Sequence, residues 1–293
     1  MFQYLEACRV DSWIGWAFSF GLGSIIFDFP PLERAAIVFT AFLLVTASVF
    51  VLNQYVDREA DRRNKVKSRL PVASGKITPR NALIFSLLLV ILGLALVFTV
   101  DVYLSALFLI YLGLWTAYST PPFRLKALPV VDLVVSGLGA GFLPFFMGLG
   151  VTNHLNINVS LILLVAIPIT LIHSGGHIIQ AVGDCEADSE TGINTSAVKY
   201  GKKKTVIVAG FMILTAVLSP FVYSAFGLLS HTHLFLFFIL FPLSIPVAMR
   251  YADVLRDPSA RSVVNLQKIA GKYGTVAIAV VWAYAVFAKI AGF

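Results

Sequence analysis

Three polar residues near the end of a long apolar run have the types and the spacing of a metal-phosphate site. Asn53, Asp57 and Asp61 are each four residues apart in LNQYVDREADRRNKVKSRLPVAS, residues 52–74. On a helix, each such step turns about 40° and rises about 6 Å, so the three side chains lie along one face. Carboxylate oxygens are preferred ligands of Mg²⁺, and phosphate oxygens often complete its coordination shell. The segment therefore predicts a site for a metal-bridged polyphosphate.

The segment that contains and follows these acids is strongly basic, which fits the same chemistry. Eight cations precede the next apolar run: Arg58, Arg62, Arg63, Lys65, Lys67, Arg69, Lys76 and Arg80. Of these, Arg58 and Arg62 can pair with acids on their own helix. Lys67 and Arg69 come after the expected helix end, just before Pro71, and we expect them to reach a phosphate.

A second polar triplet repeats the first one at a constant offset. Gln180, Asp184 and Asp188 have the same spacing and also stand at the end of an apolar run. One such triplet is as compatible with a solvated helix end as with a ligand site. Because two occur at equivalent positions, each opening a basic loop, we interpret them as two halves of one site. A pair of metal ions and a diphosphate would relieve the repulsion among the carboxylates, which neither triplet could relieve alone.

A third element with suitable chemistry is YSTPPFRLK, residues 118–126. Its two prolines end a helix, and Arg124 and Lys126 follow them. With the hydroxyl group of Tyr118, these cations could complete a diphosphate pocket. Basic flanking of a membrane helix, with an interfacial tyrosine, explains the same pattern equally well, so the spacing leaves both interpretations open.

The elements that must position these residues are membrane helices. The chain has 293 residues, of which 58% are hydrophobic and only 13% are charged, whereas soluble domains have about 25% charged residues. Charge-free apolar runs recur at the length that crosses roughly 30 Å of hydrocarbon, and they lack the alternation of a membrane β-barrel. We therefore predict an all-α polytopic membrane protein that forms a single domain over residues 1–293.

The distribution of cations predicts the topology of the chain. We place nine transmembrane helices at residues 12–28, 35–55, 82–100, 103–120, 130–151, 158–180, 205–228, 233–249 and 273–291. With the N-terminus in the cytoplasm, 20 of the 22 Lys and Arg residues fall on the inside, and only Arg34 and Lys289 do not. This bias predicts a multi-pass protein of the cell membrane with its N-terminus and active site on the cytoplasmic side. Because the excess of positive charge is explained by the orientation of the chain in the membrane, it is no evidence of nucleic-acid binding, and we predict no nucleic-acid partner.

The two triplets end spans 2 and 6, which run in the same direction. This predicts a parallel repeat of helices 2–5 and 6–9 around a central cavity, with cytoplasmic caps from loops 2–3 and 6–7. Within span 8, Pro242 and Pro246 predict a bent or broken helix. His173 and His177 lie in line with the second triplet, and we favour interior hydrogen bonding for them over acceptor contact. A zinc pair is not supported, because the third ligand and the general base of a metalloprotease are absent.

Taken in order, these landmarks resemble the UbiA-type intramembrane prenyltransferases. The resemblance rests on NQYVDREAD, RLPVASGKIT, YSTPPFRLK and DCEADSETGINTSAVKYG, and the nine-span plan covers essentially the whole chain. In that family, two Asp-rich motifs bind Mg²⁺ and the diphosphate of an isoprenyl donor, and a lateral opening admits lipid substrates. The sequence departs from the family with VASG at residues 72–75, where PSG is common, and with Gln180, where Asn or Asp often stands.

The resemblance implies a function and a role for each landmark residue. The protein would be a Mg²⁺-dependent prenyltransferase that moves an isoprenyl group from a polyprenyl diphosphate to a lipophilic acceptor taken from the bilayer. Its catalytic residues, which with Asn53 would bind two Mg²⁺ ions, would be Asp57, Asp61, Asp184 and Asp188. Its diphosphate-binding residues would be Asn53, Lys67, Arg69, Tyr118, Arg124, Lys126 and Gln180.

No residue identifies the acceptor. We expect an aromatic quinone precursor, with a glycerol-phosphate lipid as the alternative and a porphyrin-like ring as a further option, because all would use the same donor site. A cation-coupled secondary transporter is an alternative of another class, although its carboxylates would lie nearer the bilayer midplane. A lipid-binding structural protein is a third class, which leaves the doubled acidic motif unexplained.

Overall fold

The computed structural model describes residues 2–26, 29–64, 67–152, 159–228 and 231–291, so Lys65 of the basic segment lies outside the described residues. Within these ranges the chain is helical and has no β-strand, as the sequence predicts. The α-helices are α1 Phe2–Cys8, α2 Ile14–Ile25, α3 Leu32–Arg63, α4 Pro79–Phe98, α5 Val102–Ser119, α6 Val131–Gly137, α7 Leu143–Val151, α8 Val159–Glu190, α9 Ser196–Tyr200, α10 Lys202–Ala225, α11 His231–Arg256 and α12 Ala260–Ala291. A π-helical turn, Leu138–Phe142, joins α6 to α7.

Eight helical segments of the described chain are long and apolar enough to cross a membrane. They are α3, α4, α5, the continuous α6–α7 segment, α8, α10, α11 and α12. Helix α2 is apolar but has only 12 residues, which is about 18 Å of rise and less than the hydrocarbon thickness. The first predicted span, residues 12–28, thus contains a shorter helix, and the count of nine spans stays a prediction.

The chain forms two compact units, Met1–Ile157 and Asn158–Phe293. The first contains α1 to α7 and the second contains α8 to α12. The boundary between them falls where the second half of the predicted repeat begins. The repeat itself, its central cavity and a single domain over residues 1–293 stay predictions.

Helix α3 is the central element of the first unit, where it packs against α1, α2, α4, α5 and α7. Helices α2 and α7 approach each other so closely that glycine is required at their crossing. A Cβ atom on Gly23 would lie 2.1 Å from the carbonyl oxygen of Phe145, and one on Gly148 would lie 2.0 Å from that of Phe20. This close crossing holds the short α2 against α7, which is part of the longer α6–α7 segment.

In the second unit, α8 packs against α9, α10 and α12, and α11 packs against α10 and α12. Helix α11 continues through Pro242 and Pro246 without interruption. The prediction of a broken helix is therefore wrong, and a bend at these prolines stays a prediction. Membrane helices tolerate proline where neighbouring groups satisfy the freed carbonyls. Helix α12 begins at Ala260 rather than at residue 273, because polar residues extend it beyond the apolar stretch on which the prediction was based.

Candidate active site

The first triplet lies on one continuous helix, as its spacing predicts. Helix α3 extends beyond the predicted span end at residue 55 as far as Arg63. Asp57 and Asp61 are buried and Asn53 is partly buried. The three side chains therefore project from one face of a helix that continues past the apolar region. Because Asp57 and Asp61 are buried, the protein shields both carboxylates from water.

Asp57 is the centre of a buried charge cluster. Its Oδ1 accepts a hydrogen bond from Nη2 of Arg124 at 3.3 Å, and its Oδ2 accepts one from Nζ of Lys126. Nδ2 of Asn53 donates to the same Oδ2 at 2.8 Å. Only 8% of the Asp57 side chain is exposed, so two cations and an amide balance its charge in place of water.

A tight turn after α5 brings the two cations to α3. The helix ends at Ser119, and Thr120 is already extended before the two prolines. Arg124 then adopts a left-handed backbone with a φ of 40°, which is uncommon for a residue other than glycine. Its N–H donates to the carbonyl of Thr120, and its carbonyl accepts from Ala127, both at 2.8 Å. These bonds hold the strained corner from which Arg124 and Lys126 reach Asp57.

Ser119 is a residue of this site that sequence reasoning missed. It is 2% exposed, and its Oγ accepts a hydrogen bond from Nδ2 of Asn53 at 3.2 Å. Asn53 thus connects Asp57 on its own helix with Ser119 on α5. The only sequence signal is the place of Ser119 within YSTPPFRLK, next to the predicted site residue Tyr118.

Tyr118 belongs to a layer of aromatic rings beside the cluster. Its ring meets that of Trp115 edge to face, with 5.1 Å between centroids. Trp115 stacks on Trp16 at 4.5 Å, and Trp16 contacts Phe50 at 5.2 Å. Because Phe50 precedes Asn53 by about one turn of α3, this apolar layer lies next to the polar groups of the triplet.

Lys67 and Arg69 form a 3₁₀ turn beyond the end of α3, as Pro71 led us to expect. The backbone N–H of Lys67 donates to Oδ1 of Asn64 at 3.1 Å. Asp61 is buried on the same helix, and the charges of Lys67 and Lys126 both act on it. Arg69 is exposed, and its role in phosphate binding stays a prediction.

Two donors of the cluster are suited to a phosphate. Burial lowers the pKa of Lys126, and the adjacent Asp57 carboxylate opposes this effect, so the charged ammonium group depends on a nearby anion. Nε of Arg124 is buried and has no hydrogen-bond partner within the described part of the chain. A buried donor left unpaired costs about 1–3 kcal/mol. A phosphate oxygen would satisfy both groups.

The second triplet also lies on one continuous helix. Helix α8 extends past the predicted end at residue 180 as far as Glu190. Gln180 is exposed, whereas Asp184 and Asp188 are partly buried. Because this triplet belongs to the second unit, its predicted roles, like hydrogen bonding by His173 and His177, stay predictions.

The donor chemistry of the first triplet fits a magnesium ion. Within the described ranges, no three His, Cys, Asp or Glu side chains gather into a metal site. Asn53, Asp57 and Asp61 nevertheless offer two carboxylates and one amide from one helix face. Proteins usually bind Mg²⁺ through one or two carboxylates, with water and substrate phosphate completing the shell. The residues therefore fit Mg²⁺ that arrives with a phosphate ligand.

Sequence comparison relates the chain to a family of known enzymes. The model of the UbiA prenyltransferase family matches residues 16–270. A digeranylgeranylglyceryl phosphate synthase of Sulfolobus acidocaldarius is 29% identical over 225 residues, which are 74% of this chain and 78% of that protein. A synthase of the same name from Pyrococcus abyssi is 30% identical over 201 residues, 68% of this chain and 69% of that one.

Structural comparison agrees over almost the entire chain. A solved digeranylgeranylglyceryl phosphate synthase, 25% identical, covers 97% of this chain and 98% of its own with a TM-score of 0.66. A UbiA homologue from Archaeoglobus fulgidus, solved with DMAPP and Mg²⁺, is 21% identical and has a TM-score of 0.69 over 94% of this chain and 99% of its own. These likenesses show that the chain has the same fold as these proteins.

Proposed function

Since the chain belongs to the UbiA prenyltransferase family, we propose that it transfers an isoprenyl group from an isoprenyl diphosphate to a hydroxyl group of a glycerol-phosphate lipid. Family membership makes the protein a transferase, which replaces the transporter and structural-protein alternatives. The observation that carries the proposal is the buried cluster at the end of α3, where Arg124 and Lys126 converge on Asp57. Two cations and a metal-binding acid are the groups that a departing diphosphate requires.

The proposed acceptor differs from the one we expected first from the sequence. Both relatives described above are named as synthases of a glyceryl phosphate that carries two geranylgeranyl groups. Such a product implies an acceptor that already carries one geranylgeranyl group. The relatives therefore support the glycerol-phosphate alternative over the aromatic quinone precursor, and lipid biosynthesis over quinone biosynthesis.

We propose that Asn53, Asp57 and Asp61 bind Mg²⁺ and that Asp184 and Asp188 are further ligands, as the sequence predicts. Bound Mg²⁺ would neutralise the negative charge that develops on the leaving diphosphate. The structure of the Archaeoglobus fulgidus homologue with DMAPP and Mg²⁺ supports the use of a divalent ion. The number of ions, which we predict to be two, stays a prediction. The same holds for the diphosphate-binding roles of the remaining residues, Lys67, Arg69, Tyr118 and Gln180.

The hydrogen bonds to Asp57 hold the side chains of Arg124 and Lys126 in position to bind the diphosphate. On binding, phosphate oxygens would replace Asp57 at Lys126 and would also satisfy the buried Nε of Arg124. The allylic C–O bond then breaks and the diphosphate leaves with the bonding electrons. The hydroxyl oxygen of the acceptor forms the new C–O bond, and its proton passes to the released diphosphate, so no other reactant is needed.

The apolar layer next to the cluster protects the reacting carbon. An allylic cation is consumed by water unless the site excludes water. The stacked rings of Trp16 and Trp115 and the ring of Phe50 lie beside the polar groups of the triplet. They provide a dry surface on which the isoprenyl chain can lie while the acceptor approaches.

The test is to incubate the purified protein with isoprenyl diphosphates of several lengths and a panel of acceptors, with products read by mass spectrometry. The panel contains geranylgeranylglyceryl phosphate, 4-hydroxybenzoate and a porphyrin-type ring. We expect an ether product with the glycerol phosphate that requires Mg²⁺ and disappears with a chelator. Transfer to the aromatic acceptor alone, or full activity with chelator present, would contradict the proposal.

The apolar helices and the family make the chain an integral membrane protein. We propose that its N-terminus and active site face the cytoplasm, because this orientation places 20 of the 22 Lys and Arg residues inside. A cysteine introduced at exposed Lys203 in a variant without Cys8 and Cys185 tests this placement. A membrane-impermeant thiol reagent should label it in inverted vesicles but not in intact cells, and the opposite result would reverse the orientation.

A further inference from the structure

Arg9 stands at a strained corner between α1 and the 3₁₀ turn Val10–Ser12. Its φ of 49° is left-handed, a conformation that costs a residue of this type about 1–3 kcal/mol. The corner is tied down as a turn, since the N–H of Arg9 donates to Glu6 at 3.1 Å and its carbonyl accepts from Ser12 at 2.8 Å. Asparagine or glycine would adopt this backbone more easily, which indicates that the arginine side chain serves a purpose besides turning the chain.

Two buried side chains fasten this corner to the rest of the first unit. Nε2 of Gln54 donates to the carbonyl of Ala7 at 2.7 Å, and Nε1 of Trp13 donates to the carbonyl of Cys8 at 2.8 Å. Gln54 comes from α3 and directly follows the first residue of the triplet. The position of Arg9 is therefore linked to the helix that carries the candidate metal ligands.

The guanidinium group of Arg9 lies on the aspartate face of α3. Its Cζ is 5.7 Å from the centre of the Phe50 ring. Phe50 precedes Asp57 by about two helical turns and Asp61 by about three, so the three side chains share a face. A further cation thus stands beside the site, on an element separate from the turn that carries the Asp57 partners.

The proposed reaction needs two anion sites, because the donor carries a diphosphate and the acceptor carries a phosphate. Arg124 and Lys126 converge on Asp57 and are assigned to the donor. Arg9 belongs to a different element, the corner between α1 and the turn Val10–Ser12. A guanidinium group can bind phosphate through two parallel N–H···O hydrogen bonds. We propose that Arg9 binds the phosphate group of the glycerol-phosphate acceptor. This inference rests on the proposed function and names a residue that would select a phosphorylated acceptor.

The test combines a change in the protein with a change in the substrate. Arg9→Asn removes the cation, while asparagine tolerates the left-handed backbone. The acceptors are geranylgeranylglyceryl phosphate and the same lipid without its phosphate, assayed at saturating donor and Mg²⁺. For the wild type, loss of the phosphate should raise the acceptor KM about tenfold or more, as expected for charge-assisted hydrogen bonds. In Arg9→Asn the two acceptors should have similar KM values, and the donor KM should not change.

A matched control is Arg80→Asn, an exposed cation in the first turn of α4, which should leave both KM values unchanged. Arg9→Lys keeps the charge if Arg9→Asn proves too unstable to assay, and it should raise the KM for the phosphorylated acceptor partway. An Arg9 variant that prefers the phosphorylated lipid by the wild-type factor overturns the proposal, as does a rise in donor KM alone. If the wild-type protein uses neither lipid, the proposed acceptor is wrong and the Arg9 proposal falls with it. The wild-type assay alone reveals this outcome, so it is distinguished from a failure of the Arg9 proposal, which only the variants can reveal.

Discussion

The two ends of α3 both carry charged groups that link it to neighbouring elements, but they use charge in opposite ways. At the C-terminal end, the carboxylate of Asp57 accepts hydrogen bonds from Arg124 and Lys126. At the N-terminal end, Arg34 donates to backbone carbonyl oxygens of α7, to that of Val151 at 2.7 Å and to that of Gly150 at 3.2 Å. One end surrounds an acid with cations, and the other uses a cation to close a helix.

The end with Arg34 is satisfied by the protein itself. The last carbonyls of a helix lack partners within it and carry its partial negative charge, so the guanidinium group supplies donors that α7 needs. Asp101 lies 4.0 Å from Nη2 of Arg34, and it caps α5 by accepting from the N–H of Leu104 at 2.7 Å. These contacts connect α3, α5 and α7, which is the role of a purely structural ion pair.

The end with Asp57 holds more cationic donors than the fold uses. Two cations meet one carboxylate, the Lys126 side chain is only 11% exposed, and Nε of Arg124 has no partner among the residues described. Such an arrangement costs stability, and groups of this kind concentrate at functional sites. The difference teaches that an excess of donors, rather than an ion pair as such, distinguishes the candidate ligand site. Substitutions at the two ends should therefore separate activity from stability.

The largest effect is expected for Asp57→Asn, which removes the charge and keeps the shape. We expect turnover to fall by at least about 100-fold, the scale of losing one strong electrostatic contact in a transition state. Single-turnover transfer at saturating Mg²⁺ and donor measures it. The control is Glu59→Gln, an exposed acid of the same helix that pairs with Arg62 and should retain activity. Wild-type turnover in Asp57→Asn would remove this acid from the mechanism.

Lys126→Met should separate binding from stability. We expect the donor KM to rise about tenfold or more, because a charge-assisted contact to phosphate is lost. The apparent melting temperature should stay the same or rise, since a buried cation is replaced by an apolar group while Arg124 still pairs with Asp57. Lys76→Met, at an exposed partner of Glu6, is the control. A lower melting temperature with an unchanged donor KM would make this end structural, like the other.

Arg34→Met should show the opposite pattern. Two carbonyls of α7 lose their donor, and we expect the free energy of unfolding to decrease by about 1–3 kcal/mol. Below the melting temperature, turnover and both KM values should match the wild type, because Arg34 lies at the far end of α3 from Asp57. Thermal unfolding of the purified protein and an activity assay at low temperature measure the two effects. A selective loss of turnover would contradict the division between the ends.

The sequence predicted the local parts of the site well. The spacing of Asn53, Asp57 and Asp61 sufficed to place them on one helix face, because a helix face is a local property of the chain. The prolines predicted the end of α5, and Arg124 and Lys126 were identified as phosphate candidates. Their convergence on Asp57 could not be predicted, since it depends on a left-handed backbone that arginine seldom adopts.

The missed features depend on contacts between residues far apart in sequence. Arg34 binds backbone carbonyls, and every residue has one, so the sequence carries no signal of this pairing. The length of α2 was overestimated because the apolar run 12–28 is long enough for a span. Its close crossing with α7 depends on Gly23 and Gly148 meeting in three dimensions. An apolar pattern reports that a segment is buried, but not whether lipid or a neighbouring helix buries it.

The smallest effect is expected for substitutions of Asp101. They test whether the charge pair at the N-terminal end of α3 contributes to stability. Asp101→Asn removes the distant pair with Arg34 but keeps a good N-cap, so we expect a change within about 0.5 kcal/mol. Asp101→Ala also removes the cap and should cost about 1 kcal/mol. Apparent melting temperatures of the two variants give the comparison, and turnover should be unchanged in both. If Asn were as destabilising as Ala, the charge would matter more than the cap, and this end would resemble the Asp57 end more closely than its hydrogen bonds indicate.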